Sequence, residues 1–438
     1  MRNLKVTRRT AVALSIASVS AVLVSACGTA DSTEEGAGEL SDGPVTLSMT
    51  WWGNDTRTTN TQEIIDAFEV KHPNITIEAS FTAFSEYWDK LATETAARNT
   101  PDIVQMDEKY ISTYASRGAL LDLSELGSTL NTDDYDPTVL DVGRVKDGLY
   151  GVPIGLNAYA VVANTDLFQQ AGVEIPDDTT WTWADFNETA RQISAAGGGN
   201  FYGTQAWGFE DGGIRLWARS HGDQLYDDAG NVVIRPETLT SFWQQILDLT
   251  ESGAAPPPPE TIEKQKGGLS ASFTATNGSA MGVWWNNQLT ALSKATGKEM
   301  KLLQYPEAAT SGTYYFKPSM YWSASSTTEH RAEVALFLDF LLNSEEAADI
   351  QQTERGVPAN ERIRAYITPK LGETDQAVVE YLDRIEPGDA EPVTPPGGSA
   401  IESLVSRYTE EVLFKRTTPA DAANGFLKEL TTEVENAR

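Results

Sequence analysis

Residues 45–81, VTLSMTWWGNDTRTTNTQEIIDAFEVKHPNITIEASF, hold the pattern that decides the fold class. Apolar and polar side chains alternate over 45–49 and again over 74–81, which is typical of β-strands. Between these segments, residues 59–71 place their apolar side chains on one face of a helix, which Pro73 ends. A strand–helix–strand order of this kind predicts an α/β protein, in which helices cover both faces of a mostly parallel sheet.

Composition excludes several classes of function. The chain has 438 residues, enough for two domains with large cores, and a net charge of −30. Such an acidic surface repels phosphate backbones and anionic lipid headgroups, so we expect no nucleic-acid partner and no direct adhesion to membranes. The three histidines are widely separated and lack metal-binding spacing, and no glycine-rich phosphate loop is present. We therefore predict no metal and no cofactor.

Cys27 is the only cysteine, and the residues before it are typical of a secretory signal. A basic start leads into an uncharged stretch over 11–26 that ends in the small residues VSA. This stretch is shorter than the ~20 residues that span a bilayer, which disfavours a transmembrane anchor. The segment resembles a lipobox, in which the cysteine is lipidated. We predict a signal peptide over 1–26, a flexible tether over 27–44, and a protein anchored by lipid alone to the extracytoplasmic face of the cell membrane. Removal of the signal peptide, which has four basic and no acidic residues, changes the net charge to −34.

Four further segments resemble motifs of one family when their order and spacing are taken together. They are YGVPIGLN at 150–157, ANTDLFQQAG at 163–172, NGSAMGVWW at 277–285 and ERGVPA at 354–359. The family is that of the family 1 extracellular solute-binding proteins, the carbohydrate receptors of bacterial ABC importers. The second segment departs from the family pattern at Ala163, where an aromatic residue is usual.

This resemblance implies a two-lobed periplasmic-binding-protein-like fold with a hinge between the lobes. Each lobe would be a mostly parallel sheet flanked by helices. The implied first lobe comprises residues 45–158 plus 302–343, and the second comprises 159–301 plus 344–438. The resemblance also implies two partners, a carbohydrate ligand and the membrane permease subunits of an ABC importer.

Sugars present apolar ring faces and many hydroxyl groups, so their sites combine flat aromatic side chains with planar polar ones. Trp51 and Trp52 follow the first predicted strand, and Trp284 and Trp285 end another. Ligands of open α/β sheets lie beyond the carboxyl ends of strands, where both pairs are expected. Because adjacent side chains of a strand point to opposite faces, we predict that one tryptophan of each pair contacts the ligand.

Three polar residues complete the predicted ligand site. Asp107 follows a buried strand and either binds hydroxyl groups or caps the next helix. Asn157 lies at the predicted first crossover, where it either binds the ligand or serves a turn. Arg355 either binds hydroxyls or a carboxylate, or pairs with Glu354 or Glu361.

The predicted function is capture of a sugar or oligosaccharide for an ABC transporter, without catalysis. The acidic charge favours a neutral sugar over a uronic-acid oligomer. One alternative is a secreted carbohydrate-active hydrolase that uses a carboxylate pair, since the many acidic residues allow such a pair to be proposed. Another is a structural or sensory surface lipoprotein.

Overall fold

The computed structural model describes residues 36–308 and 312–437. The predicted signal peptide, Cys27 and the first part of the tether lie outside these residues. In the described part of the chain, no helix is both long and apolar enough to cross a bilayer.

The strands are β1 (Val45–Trp52), β2 (Ile75–Thr82), β3 (Ile103–Met106), β4 (Arg144–Val145), β5 (Gly148–Leu149), β6 (Val152–Pro153), β7 (Gly155–Asn157), β8 (Tyr159–Asn164), β9 (Tyr202–Thr204), β10 (Ser279–Trp285), β11 (Met300–Leu303), β12 (Lys317–Pro318), β13 (Tyr321–Ala324) and β14 (Val357–Pro358).

The α-helices are α1 (Asp55–Lys71), α2 (Phe84–Ala96), α3 (Ile111–Ser116), α4 (Pro137–Asp141), α5 (Thr165–Ala171), α6 (Trp183–Gly197), α7 (Asp211–Ser220), α8 (Pro236–Glu251), α9 (Pro258–Lys266), α10 (Leu289–Thr296), α11 (Arg331–Asn343), α12 (Glu345–Gln351), α13 (Glu361–Ile367), α14 (Glu373–Arg384), α15 (Ile401–Leu413) and α16 (Pro419–Asn436).

The first sheet has the strand order β2-β1-β3-β13-β6. Strand β1 runs parallel to β2, as the strand–helix–strand order over 45–81 predicts, and also to β3, while β13 is antiparallel to β3 and β6. Because β1, β2 and β3 are parallel, the residues that follow them meet at one edge of the sheet. The predicted strand–helix–strand order is therefore confirmed.

The second sheet has the order β11-β8-β10-β9 and is mostly antiparallel, which corrects the prediction for this lobe. Strand β8 is antiparallel to both β10 and β11, and only β9 runs parallel to β10. The reason is the path of the chain. Strand β8 enters the sheet from the hinge at Tyr159, opposite Trp285 at the end of β10, and so runs in the reverse direction.

A three-stranded hinge sheet, β12-β7-β14, lies between the two larger sheets along the chain. Strand β7 links the first sheet to the second, and β12 leads back to β13 of the first sheet. The backbones approach closely here, because a Cβ added to Gly155 would lie 2.6 Å from the carbonyl oxygen of Arg355. Glycine at this position lets β7 and β14 pair.

The lobe boundaries stay a prediction, but helix packing departs from the predicted return to the second lobe at residue 344. Helix α12 packs against α1 and α11, which cover the first sheet. Helix α14 is the first later helix to pack against β11 of the second sheet, and α16 packs against α8. The apolar side chains of α12 bury against the first lobe, which favours a return after α13.

Two helices match their sequence signals closely. Helix α6 begins with a capping box, in which the Thr182 and Asp185 side chains each accept from the other's backbone N–H. Helix α11 spans the strongly apolar segment near 331–342 and is buried along most of its length. Local capping and apolar pattern were sufficient to predict both.

Candidate ligand-binding site

A cavity of about 140 Å³ lies beside the ends of β9 and β10 of the second sheet. A cavity of roughly 150 Å³ holds one benzene ring, so this space suits on the order of one six-membered ring. Its aromatic and polar lining residues include Tyr159, Trp207, Phe209, Phe273, Trp284, Gln205, Glu210, Lys264, Gln265, Ser272 and Gln288.

Strand β10 brings Trp284 to the wall of this cavity. The strand is buried as far as Val283, and its two terminal tryptophans are partly exposed. The Trp284 indole Nε1 donates to Thr274 Oγ1 at 3.1 Å, which fixes the ring. A Cβ on Gly282 would lie 2.5 Å from that Nε1, so glycine at this position makes room for the ring.

Glu210 is held by two donors through the same carboxylate oxygen. Tyr159 Oη and Trp285 Nε1 each donate to Glu210 Oε2 at 3.1 Å. The Tyr159 and Trp285 rings meet edge to face at 4.0 Å, and a Cβ on Gly212 would lie 2.6 Å from the Trp285 ring. Among the described residues, Oε1 has no donor, so one oxygen of a fixed carboxylate remains available to a ligand.

Burial raises the pKa of Glu210 above its usual value, and the hydrogen bond from Tyr159 opposes this shift. The charge of neighbouring Asp211 adds to the increase. The pKa of Asp211 itself is lowered: burial acts to raise it, but the opposite charges of Arg215, Lys109 and Lys317 prevail. The pKa values of these two adjacent carboxyl groups are therefore shifted in opposite directions.

Residues that follow β3 of the first sheet reach the same region. Lys317 Nζ lies 2.9 Å from Glu108 Oε1 and 5.7 Å from the centre of the Trp285 ring. Lys109 pairs with Glu402 at the start of α15. The structure thus brings charged residues after β3 into contact with the second lobe.

A buried ion cluster lies beside these contacts. Arg215 Nε donates to Asp211 Oδ2 at 3.1 Å, Nη1 to Glu391 Oε1 at 3.0 Å, and Nη2 to Thr394 Oγ1 at 2.9 Å. The backbone carbonyl of Thr394 also accepts from Ser112 Oγ at 2.8 Å. Each nitrogen of Arg215 thus donates to one acceptor, so the cluster joins the two lobes and offers little to an anionic ligand.

The two predicted tryptophan pairs have different positions. Trp284 lines the cavity, and Trp285 fixes Glu210. Trp51 is only 1 % exposed and stacks on Phe81, which corrects its interpretation as a sugar platform. Trp52 is 8 % exposed, because α2 covers it with aromatic side chains. Both residues of the first pair belong to the core.

Asp107 and Asn157 remain candidates. Asp107 Oδ1 accepts from the backbone N–H of Lys109 at 3.0 Å in the turn before α3, whose N-cap residue is Tyr110, and the Asp107 side chain is half-buried. Asn157 is buried in β7 opposite Lys317. Its Oδ1 has no hydrogen-bond donor among the described residues, which is unfavourable for a buried amide oxygen unless a ligand or water supplies one.

Arg355 is a core residue, which corrects its prediction as a ligand contact. It is 1 % exposed and donates to Thr61 Oγ1 at 2.8 Å and to Gln105 Oε1 at 3.2 Å. Its guanidinium also lies 5.2 Å from the Trp322 ring centre. Burial, together with the charge of Arg57, lowers its pKa to about 9. Gly356, which follows Arg355, has a φ of +95°, a backbone conformation that favours glycine.

Sequence reasoning missed Glu210, Tyr159 and Lys317. The segment QAWGFE at 205–210 alternates aromatic, glycine and polar residues directly after a strand, which is a signal that could have been used. Tyr159 and Lys317 gave no local signal, because their roles depend on partners far along the chain. Among the described residues, no group of three or more His, Cys, Asp or Glu side chains is placed to hold a metal ion.

Comparison with known proteins identifies the family. The family model "Bacterial extracellular solute-binding protein" matches residues 63–377, and the chain belongs to that family. The resemblance drawn from the sequence motifs is therefore confirmed, and the family is one of binding proteins.

Individual relatives agree with this assignment. The diacetylchitobiose binding protein DasA of Streptomyces coelicolor is 23 % identical over 417 residues, which cover 92 % of this chain and 93 % of that protein. An uncharacterized lipoprotein of Streptomyces antibioticus is 26 % identical over 164 residues, and the chain spans only 36 % of its length.

A solved structure supports the two-lobed fold. The extracellular solute-binding protein family 1 from Alicyclobacillus acidocaldarius is 27 % identical, with a TM-score of 0.75 over 90 % of this chain and 100 % of that one. The predicted two-lobed α/β architecture is thereby confirmed.

Proposed function

We propose that the protein captures a neutral saccharide between its two lobes and delivers it to the permease subunits of an ABC importer. The observation that carries the proposal is the cavity beside β10. Trp284 and Glu210 line this cavity, whose volume suits about one six-membered ring. The second lobe supplies the lining residues of this cavity. Glu108 of the other lobe lies near it through Lys317, whose ammonium is 5.7 Å from the centre of the Trp285 ring.

The lining has the chemistry that a sugar ring requires. Trp284 and Phe273 offer flat apolar faces to the C–H face of a ring. Glu210 Oε1 accepts from a hydroxyl group, and the amides of Gln205 and Gln265 both donate and accept. A carboxylate fixed by two donors is organised before the ligand arrives, which lowers the entropy cost of binding.

The charge balance supports a neutral ligand. Among the described lining residues, Glu210 and Lys264 carry opposite charges, so together they add no net charge to the cavity. The nearby cations Lys109, Lys317 and Arg215 each pair with a carboxylate. A uronate would have to compete for these cations with carboxylates that are already in place. The relative DasA aligns over most of both chains, and its name, diacetylchitobiose binding protein, also supports a saccharide as the ligand.

We further propose that the mature protein begins at a lipidated Cys27, on the sequence evidence and on the name of the lipoprotein relative. Cys27→Ser should abolish lipidation, since serine has no thiol to acylate. The variant should then be released or left unprocessed. A variant that still partitions quantitatively into the detergent phase would refute this assignment.

The test of the binding function is isothermal titration of the chain without residues 1–26 against a panel of neutral and acidic saccharides. We expect binding of at least one neutral saccharide and loss of affinity in Trp284→Ala. Product analysis of the same samples separates the hydrolase alternative, because release of a shortened sugar would show catalysis and overturn the binding function.

A further inference from the structure

We propose that a ledge on the first lobe, formed by Phe84 and Tyr110 over the buried indoles of Trp52 and Trp88, binds further rings of the saccharide, so that the ligand is an oligosaccharide. This inference rests on the proposed function and adds a second contact region to it. The ledge is distinct from the cavity, which belongs to the second lobe.

Phe84 is the exposed member of the ledge. Its side chain is 46 % exposed at the start of α2. Its ring meets Trp52 edge to face at 5.4 Å and Trp88 at 5.9 Å. Two buried indoles therefore hold this exposed ring in place.

The ledge continues into the cleft through Tyr110. Trp88 stacks on Tyr110 with ring centres 3.9 Å apart and an interplanar angle of 22°. Tyr110 directly follows Lys109, whose ammonium pairs with Glu402 of the second lobe. The ledge thus lies at the same edge of the first sheet as the residues that contact the second lobe.

The size of the cavity limits how much of a saccharide it can hold. A space of about 140 Å³ suits on the order of one ring, so a longer saccharide must extend beyond it. Aromatic faces are the surfaces that sugar rings contact with least loss of hydroxyl hydration. An aromatic ledge on the facing lobe gives those further rings a contact, and it couples ligand length to closure of the lobes.

Phe81 provides a matched control. It is 44 % exposed, close to the value for Phe84, and belongs to the same region of chain. However, it pairs in register with Trp51, on the opposite face of the first sheet from Trp52. Its ring stacks on Trp51 at 6.1 Å and does not contribute to the ledge.

The experiment is isothermal titration with malto-, cello- and chito-oligosaccharides of one to four rings, using the wild type, Phe84→Ala, Phe84→Leu and Phe81→Ala. Thermal unfolding confirms that each variant is folded, and Phe84→Leu keeps apolar volume while it removes the aromatic face. We expect both Phe84 variants to bind the longest ligand about tenfold more weakly, with unchanged affinity for a single ring. Phe81→Ala should match the wild type.

The outcomes separate this inference from the proposed function. Equal binding of the longest ligand by wild type and both Phe84 variants would overturn the ledge and leave saccharide capture intact. The same holds if the variants weaken single rings as much as long ones, or if Phe81→Ala has the same effect as Phe84→Ala. Failure of the wild type to bind any saccharide would overturn the proposed function, and the ledge with it.

Discussion

Two strands, β1 and β10, each end in a pair of tryptophans. The first pair belongs to the core and the second lies at the candidate ligand site. Trp51 and Trp52 at the end of β1 are 1 % and 8 % exposed, whereas Trp284 and Trp285 at the end of β10 are partly exposed. The neighbouring elements cause this difference. Helix α2 covers Trp52 with aromatic side chains and Phe81 of β2 stacks on Trp51, while Gly212 leaves room beside Trp285. Position at a strand end therefore does not identify a binding tryptophan. The elements that pack against the tryptophan determine whether its ring is buried or remains available to a ligand.

The largest expected effect is on stability at the first pair. Trp51→Ala should lower the free energy of unfolding by about 3–5 kcal/mol, because it removes a large buried side chain and leaves a cavity. Chemical denaturation measures this change. Trp284→Ala is the matched variant and should lose much less stability, since its ring is partly exposed. Equal losses for the two variants would remove the distinction between the pairs.

The next largest effect is on binding at the second pair. Trp284→Ala should weaken saccharide binding by about 2–4 kcal/mol, which is typical of a lost aromatic anchor. Trp285→Ala should weaken it too, because Glu210 then loses the Nε1 donor that helps to hold it. Titration of folded variants checks both. If neither variant changes the affinity, Trp284 is not a ligand contact and Trp285 does not hold Glu210 for binding.

Glu210→Gln should have a smaller effect. It should weaken saccharide binding by about 1.5–3 kcal/mol, because the ligand loses a hydrogen bond to a charged acceptor. Burial raises the pKa of Glu210, so the wild-type carboxylate becomes protonated at a higher pH than an ordinary glutamate. Wild-type affinity should therefore fall on acidification before pH reaches about 4.3, and this fall should be absent in Glu210→Gln. Asp211, whose pKa is lowered, titrates further down. Identical pH profiles for both proteins would exclude this role for Glu210.

The smallest effect is that of salt. A neutral saccharide carries no charge to be screened, so its affinity should stay within about twofold between roughly 0.05 and 0.5 M salt. Titration across a salt series tests this, with a uronic-acid oligomer as the charged control. Tight binding of the uronate that weakens steeply with salt would overturn the assignment of a neutral ligand.

Much of the fold could be predicted because its signals are local. Alternation and helical periodicity over 45–81, the capping box at Thr182 and the apolar run of α11 each depend on neighbours in sequence. The direction of β8 could not be predicted in this way, because it depends on the hinge from which the strand enters its sheet. Family motifs supplied the two-lobed architecture, which no local signal specifies.

The site was predicted less completely because its partners are distant in sequence. Tyr159 and Glu210 are 51 residues apart, and Gln105 and Arg355 are 250 apart. A polar residue beside a strand end can join a ligand site or a buried network, and composition does not distinguish these cases. Arg355 is an example of the buried network, and Glu210 is an example of the ligand site.

The most direct test of saccharide capture at this cavity is a crystal structure of the protein with the panel saccharide that it binds most tightly. We expect one sugar ring in the cavity, with its apolar face on Trp284 and a hydroxyl group within hydrogen-bond distance of Glu210 Oε1. A saccharide bound elsewhere on the protein, with the cavity beside β10 left empty, would contradict the proposed site.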